Sequence, residues 1–159
     1  MTADFSPVKK GTILLLSGSK EHIYFICNDP VFYPKIAKAS FLAVNLTSIV
    51  EGIEHDPTCV LNVGDHTFVK HPSYIFYGKA DIFGVETIAG QVQSGDIRVH
   101  QPCEDSTFQR ILDGFTQSSF VKPKILNYYQ KYCVSATAEP EVTLPAANAG
   151  PDEDSGSAA

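Results

Sequence analysis

The sequence predicts a mainly β fold of the α+β class: a small barrel or curled sheet of roughly five to seven short strands, then two helices. Three observations carry this. Between Gly11 and His100, short apolar runs alternate with turn residues. Between Ser106 and Tyr132 the apolar spacing changes to that of helices. From Ser135 onward the chain turns to Ala, Pro, Gly, Ser and acids. The expected organisation is therefore a folded body over residues 1–134 and a disordered tail over 135–159.

Residues 1–10 form a lead-in with Pro7 and Lys9-Lys10. Residues 11–16 (GTILLL) are a continuous apolar run, typical of a strand buried on both faces. Turn chemistry at 17–20 (SGSK) and a second apolar run at 22–27 (HIYFIC) complete a hairpin. Asn28-Asp29-Pro30 ends it, because proline lacks a ladder donor. Residues 31–39, with Pro34 and two lysines, read as a loop. Residues 40–47 (SFLAVNLT) form the third strand, with Phe41, Ala43, Asn45 and Thr47 on one face and Leu42, Val44 and Leu46 on the other. The second set points to the core, leaving Asn45 and Thr47 outward or in a groove.

Residues 58–77 (TCVLNVGDHTFVKHPSYIFY) read as two strands around a polar hinge, with Ser73, Ile75 and Tyr77 on one face and Tyr74 and Phe76 on the other. Residues 79–85 extend that strand or begin another. Ser94-Gly95-Asp96 reads as a turn before a strand over 97–100. Ser106 and Gln109 match a capping box, and Phe108, Ile111, Leu112 and Phe115 then follow one helical face to Gly114. A second helix starts at Pro123, with a stripe of Ile125, Tyr128, Tyr129 and Tyr132.

The net charge of −6 belongs mostly to the tail, where five acids face no base. The remaining thirteen acids and twelve bases leave the body near −1, so a nucleic-acid contact requires a local basic patch. Four cysteines (27, 59, 103 and 133) make no CxxC pair, which argues against a zinc ribbon and for packed, reduced thiols. No apolar run approaches the ~20 residues of a membrane span, and no signal pattern opens the sequence. A cytoplasmic protein with no cofactor and no membrane partner is expected.

Asp65, His66, Lys70, His71 and Ser73 are the densest group of reactive side chains. Metal-independent RNA cleavage needs a base for the 2′-hydroxyl, an acid for the leaving oxygen and a cation for the phosphoryl charge. His66, His71, Lys70 and Thr47 supply those types and are the candidate catalytic residues. The plainer assignment has the histidines capping loop backbone and Lys70 in solvent. His55-Asp56 and Asp65-His66 raise a metal site, although Asp56 before Pro57 more simply starts a turn. Tyrosines and phenylalanines interleaved with lysines, notably Tyr33 and Lys35, suggest stacking on single-stranded RNA, with core packing as the alternative.

The order of these segments over residues ~10–85 resembles the PemK/MazF-like toxin family. The residues that carry it are Gly11-Thr12 opening the first strand, Asn45 to Ser48 (NLTS) closing the third, and 70–75 (KHPSYI). The resemblance implies an SH3-like barrel, endoribonuclease activity on single-stranded RNA, an antitoxin protein as partner and a homodimer. It implies Thr47 as a functional position. Ser48 and Ser73 fall in matching segments and become candidate RNA contacts. The Arg-Pro pair of that family is replaced here by residues 20–23 (KEHI), so Lys20 and His22 are the stand-ins. The rival expectation is a non-catalytic SH3-like interaction module with an aromatic groove for a peptide or protein. A metal-dependent enzyme using His55, His66 and His71 is a third.

Overall fold

A computed structural model describes residues 6–17 and 20–134. The tail expected over 135–159 lies outside the described residues. The body is a mixed α+β fold built mainly on an antiparallel sheet. Its strands are β1 (Thr12–Ser17), β2 (Lys20–Ile26), β3 (Val31–Tyr33), β4 (Lys38–Ser48), β5 (Val60–Leu61), β6 (Ser73–Ile75), β7 (Asp81–Gly84) and β8 (Ile97–His100). Three helices accompany them: α1 (Val85–Ser94), α2 (Asp105–Gly114) and α3 (Pro123–Tyr128), the last running into a π-helical turn at Tyr129–Val134. No helix among the described residues is long and apolar enough to cross a membrane.

The sheet runs β5-β6-β4-β2-β1-β8, with β3 and β7 also on β4. It is an open sheet: β5 and β8 end the path and each pairs with one neighbour. β4 is the spine, meeting β3, β2, β7 and β6 in turn. The period-two reading of this strand places its faces correctly, but both are covered. Leu42, Val44 and Leu46 join the main core with Phe25, Ile75 and the residues of α2 and α3. Phe41 and Ala43 join a second core with Ile13, Ile26, Ile97 and Ile88 of α1. Asn45, expected outward or in a groove, is 4% exposed. Helices therefore cover both faces of the sheet.

Several elements differ from the sequence reading. Residues 31–39 are not a loop: Val31–Tyr33 pairs with Lys38–Ser40 around a tight connection in which Ala37 is left-handed at φ 56°. Residues 85–94 form α1, and Ser94-Gly95-Asp96 is its C-terminal cap, with Gly95 at φ 89° and the Asp96 amide returning to the Gln91 carbonyl. The strand over 58–63 shrinks to Val60–Leu61, and Asp65 folds back to accept the Asn62 amide at 2.7 Å. Ser106 makes no capping box. Glu104 is the N-cap of α2 without a side-chain bond, and Gln109 reaches forward to Asp113 at 2.8 Å. The apolar stripes hold except at Tyr132, which is half-buried: Phe108, Ile111, Leu112, Phe115, Ile125, Tyr128 and Tyr129 are buried, as are all four cysteines.

Candidate functional site

The expected site residues do not form one cluster. Ser48 and His71 come together where β4 ends beside β6. The Ser48 Oγ lies 2.6 Å from His71 Nε2, and Ser73 donates to the His71 carbonyl at 3.0 Å. Both Ser48 and His71 are exposed, and among the described residues nothing takes His71 Nδ1. An imidazole held by one nitrogen and open at the other suits proton transfer. Thr47 pairs with Tyr74 across the ladder and accepts from Asn45 Nδ2 at 3.3 Å. Its side chain alternates onto the Asn45 face.

His66 is elsewhere. It is 7% exposed and packs edge-on against Phe25, in the core on the other face of the sheet from Thr47. Its Nδ1 accepts the Phe68 amide at 3.0 Å, and its Nε2 donates to the Gln101 carbonyl at 2.8 Å. These two bonds fix the Nε2–H tautomer and use both nitrogens. The Gln101 carbonyl also takes the Thr12 hydroxyl, and the Gln101 side chain takes Thr67. The 62–72 loop, coming from one end of the sheet, is thereby tied to the segment beyond β8 at the other. His66 caps loop backbone and is a structural staple.

Lys70 is exposed near His100, whose ring lies 5.6 Å from that of His66. Burial first, then electrostatic interactions with His66, Arg98 and Lys70, hold the His100 imidazole below its usual pKa. Its Nδ1 is buried without a partner. Arg98 is neutralised by an ion pair with Glu21. Lys20 and His22 stand on the β1–β2 hairpin, cross-strand from Ser17 and Leu15. The two His-Asp pairs do not converge on a metal. Asp56 accepts the Thr58 amide and the Ser118 hydroxyl, the His55 ring packs at a tilt against Tyr74, and no three His, Cys, Asp or Glu side chains among the described residues gather as ligands.

Tyr33 and Lys35 meet the tyrosine stripe of the second predicted helix and the lysines that flank it. A pocket of about 240 Å³ is lined by Tyr33, Pro34 and Lys35 from the β3–β4 connection and by Lys124, Asn127, Tyr128, Lys131 and Tyr132. The rings of Tyr33, Tyr128 and Tyr132 pack 4.7–6.0 Å apart, and Lys131 Nζ lies 5.5 Å from the Tyr132 centroid. The Tyr128 hydroxyl is anchored by Ser40 at 2.8 Å. Lys124, Asn127 and Lys131 recur at helical spacing along the flank of the Ile125–Tyr129 stripe, a signal that was present in the sequence.

A larger groove of about 640 Å³ lies between residues 52–57 and Tyr74, Phe76 and Phe120. His55, Tyr74 and Phe76 form a ladder of tilted rings at 5.2 and 5.3 Å, with Lys79 Nζ 5.2 Å from the Phe76 centroid. Ile53 and Phe120 are 65% and 57% exposed at its rim. Compared with known proteins, the chain matches no family model and no curated protein. The chemistry of these places therefore carries the functional argument alone.

Proposed function

We propose that the chain is a PemK/MazF-like protein, related to SH3-like barrels, that binds single-stranded RNA and cleaves it without a metal ion. The observation that carries this reading is the 2.6 Å contact between Ser48 Oγ and His71 Nε2 at the exposed end of β4. His71 is the proton-transfer group, Ser48 orients it, and Lys70, next to it in the sequence, is the cation for the phosphoryl charge. His66 takes no part, since both its nitrogens serve backbone. The barrel aspect is supported by the bridge through Gln101, which draws the two ends of the open sheet together. An antitoxin partner and a homodimer belong to the same reading.

The test is incubation of purified protein with a long single-stranded RNA in EDTA, beside His71→Ala and Ser48→Ala. Removing an acid–base group lowers the rate by about 10²–10⁴-fold, with a smaller loss at the orienting serine. Cleavage that His71→Ala leaves untouched overturns the assignment. RNA left intact by the parent favours a second reading, the non-catalytic interaction module. The 640 Å³ aromatic groove supports that one, with its exposed Ile53 and Phe120 suited to the apolar side chains of an extended peptide.

A further inference from the structure

We propose that the pocket between the β3–β4 connection and α3 binds one nucleotide of a single-stranded nucleic acid: its phosphate on Lys35, Lys124 and Lys131, its base against Tyr132. The chain as a whole is at −6, yet among the described residues no carboxylate lines this pocket. Three exposed ammonium groups gathered around one concavity repel one another, and a bound anion relieves that repulsion. This is the local basic patch that a near-neutral body requires for nucleic acid.

Size and surface chemistry then narrow the anion. At about 240 Å³ the pocket is smaller than the ≈ 300–1,000 Å³ of ordinary small-molecule sites, so it holds a fragment of a longer ligand. Bare phosphate would leave the aromatic wall unused. Tyr132 is half-buried and presents a ring face that already draws the Lys131 ammonium, and a base with its own π-face fits beside it. The Asn127 amide stands where it can meet a base edge. The floor is rigid, because Tyr33 and Tyr128 are buried and Tyr128 is held by Ser40. The pocket does not depend on cleavage at His71: it sits by Lys38, the opposite end of β4 from Ser48 and about 30 Å away along the strand.

The test reads binding only. Fluorescence polarisation follows a labelled 2′-O-methyl RNA, which lacks the nucleophile that cleavage uses, between 50 and 200 mM salt. The full chain is compared with Lys35→Ala/Lys124→Ala/Lys131→Ala, whose side chains are all exposed, so the fold is preserved. The expected result is at least a ten-fold weaker complex, with a salt slope reduced by roughly 0.7, the value for one lost phosphate contact on a single strand. Replacing all three by Arg restores binding. Equal binding by the triple Ala variant, or none by the parent, overturns the proposal. So does inorganic phosphate competing as well as a mononucleotide, which marks a plain anion site. Charge-dependent binding to anionic lipid vesicles in place of RNA overturns it as well.

Discussion

Gly114 ends α2 with ordinary helical backbone rather than a positive φ, so its glycine is a matter of space. A Cβ there would lie 1.8 Å from the Tyr77 hydroxyl oxygen, 2.3 Å from Cζ and 2.8 Å from Cε2. Tyr77 cannot swing away. It is 0% exposed, packs against Phe115 at 5.0 Å and donates to the Ile111 carbonyl at 2.7 Å. Gly114→Ala should therefore cost about 1–3 kcal/mol of overpacking and about 1–3 kcal/mol for a broken buried hydrogen bond. Better helix propensity offsets up to about 1 kcal/mol. The net is about 3 kcal/mol, or a Tm lower by roughly 10 °C for a body of this size. The chain has no tryptophan, so urea unfolding is followed by far-UV circular dichroism. Tyr77→Phe in the Gly114→Ala background should recover only part of the loss, because Cζ still collides. A single variant within 0.5 kcal/mol of the parent would refute this account of the helix–sheet contact.

His66→Ala should cost about 2–4 kcal/mol in urea unfolding, since it strands the Phe68 amide and removes one of two donors from the Gln101 carbonyl. RNA cleavage per folded molecule should be unchanged, and a selective loss would return His66 to the chemistry. His100 has a lowered folded pKa, so the unfolded chain takes up its proton first as pH falls below about 6.5. Its contribution to stability is full above that pH and is lost down to the folded value. His100→Gln should flatten the dependence of the urea midpoint between pH 7.5 and 5, and an unchanged slope would contradict it. Burial, with Glu104 beside the first, pushes the Cys103 and Cys133 thiols up to about 12, and Cys27 and Cys59 are also raised by burial. A disulfide reagent at pH 8 should label none of the four in the native protein and all four in denaturant. Rapid native labelling would show an open core.

Strongly periodic segments were legible. β4 announces its two faces by strict alternation, and α2 and α3 by their apolar stripes. α1 was not, although Val85, Ile88, Ala89 and Val92 keep helical spacing. The segment is short, rich in β-branched residues and interrupted by Gly90, and only Ile88 is fully buried, so local preference barely separates helix from strand. β3 hides between Pro30 and Pro34 and exists because β4 offers it an edge. The site was less legible still. Ser48 and His71 are adjacent only because β4 and β6 pair. Lys35 meets Lys131 only because α3 packs on Tyr33. Nothing local distinguishes His66, bonded to Gln101, from His71, open to solvent.

The connectivity of the sheet sets an order of events during synthesis. β1 pairs with β2 almost at once, but its other edge is filled by β8, about 80 residues later. At about 5–20 residues per second a nascent chain leaves that edge unpaired for roughly 4–16 s. It runs through Ile13, Leu14, Leu15 and Leu16, the most apolar run in the chain. An uncovered apolar edge is a template for pairing with a neighbouring chain. Crowded translation should aggregate this protein through its first hairpin, and a chaperone engaging the first hundred residues would protect it.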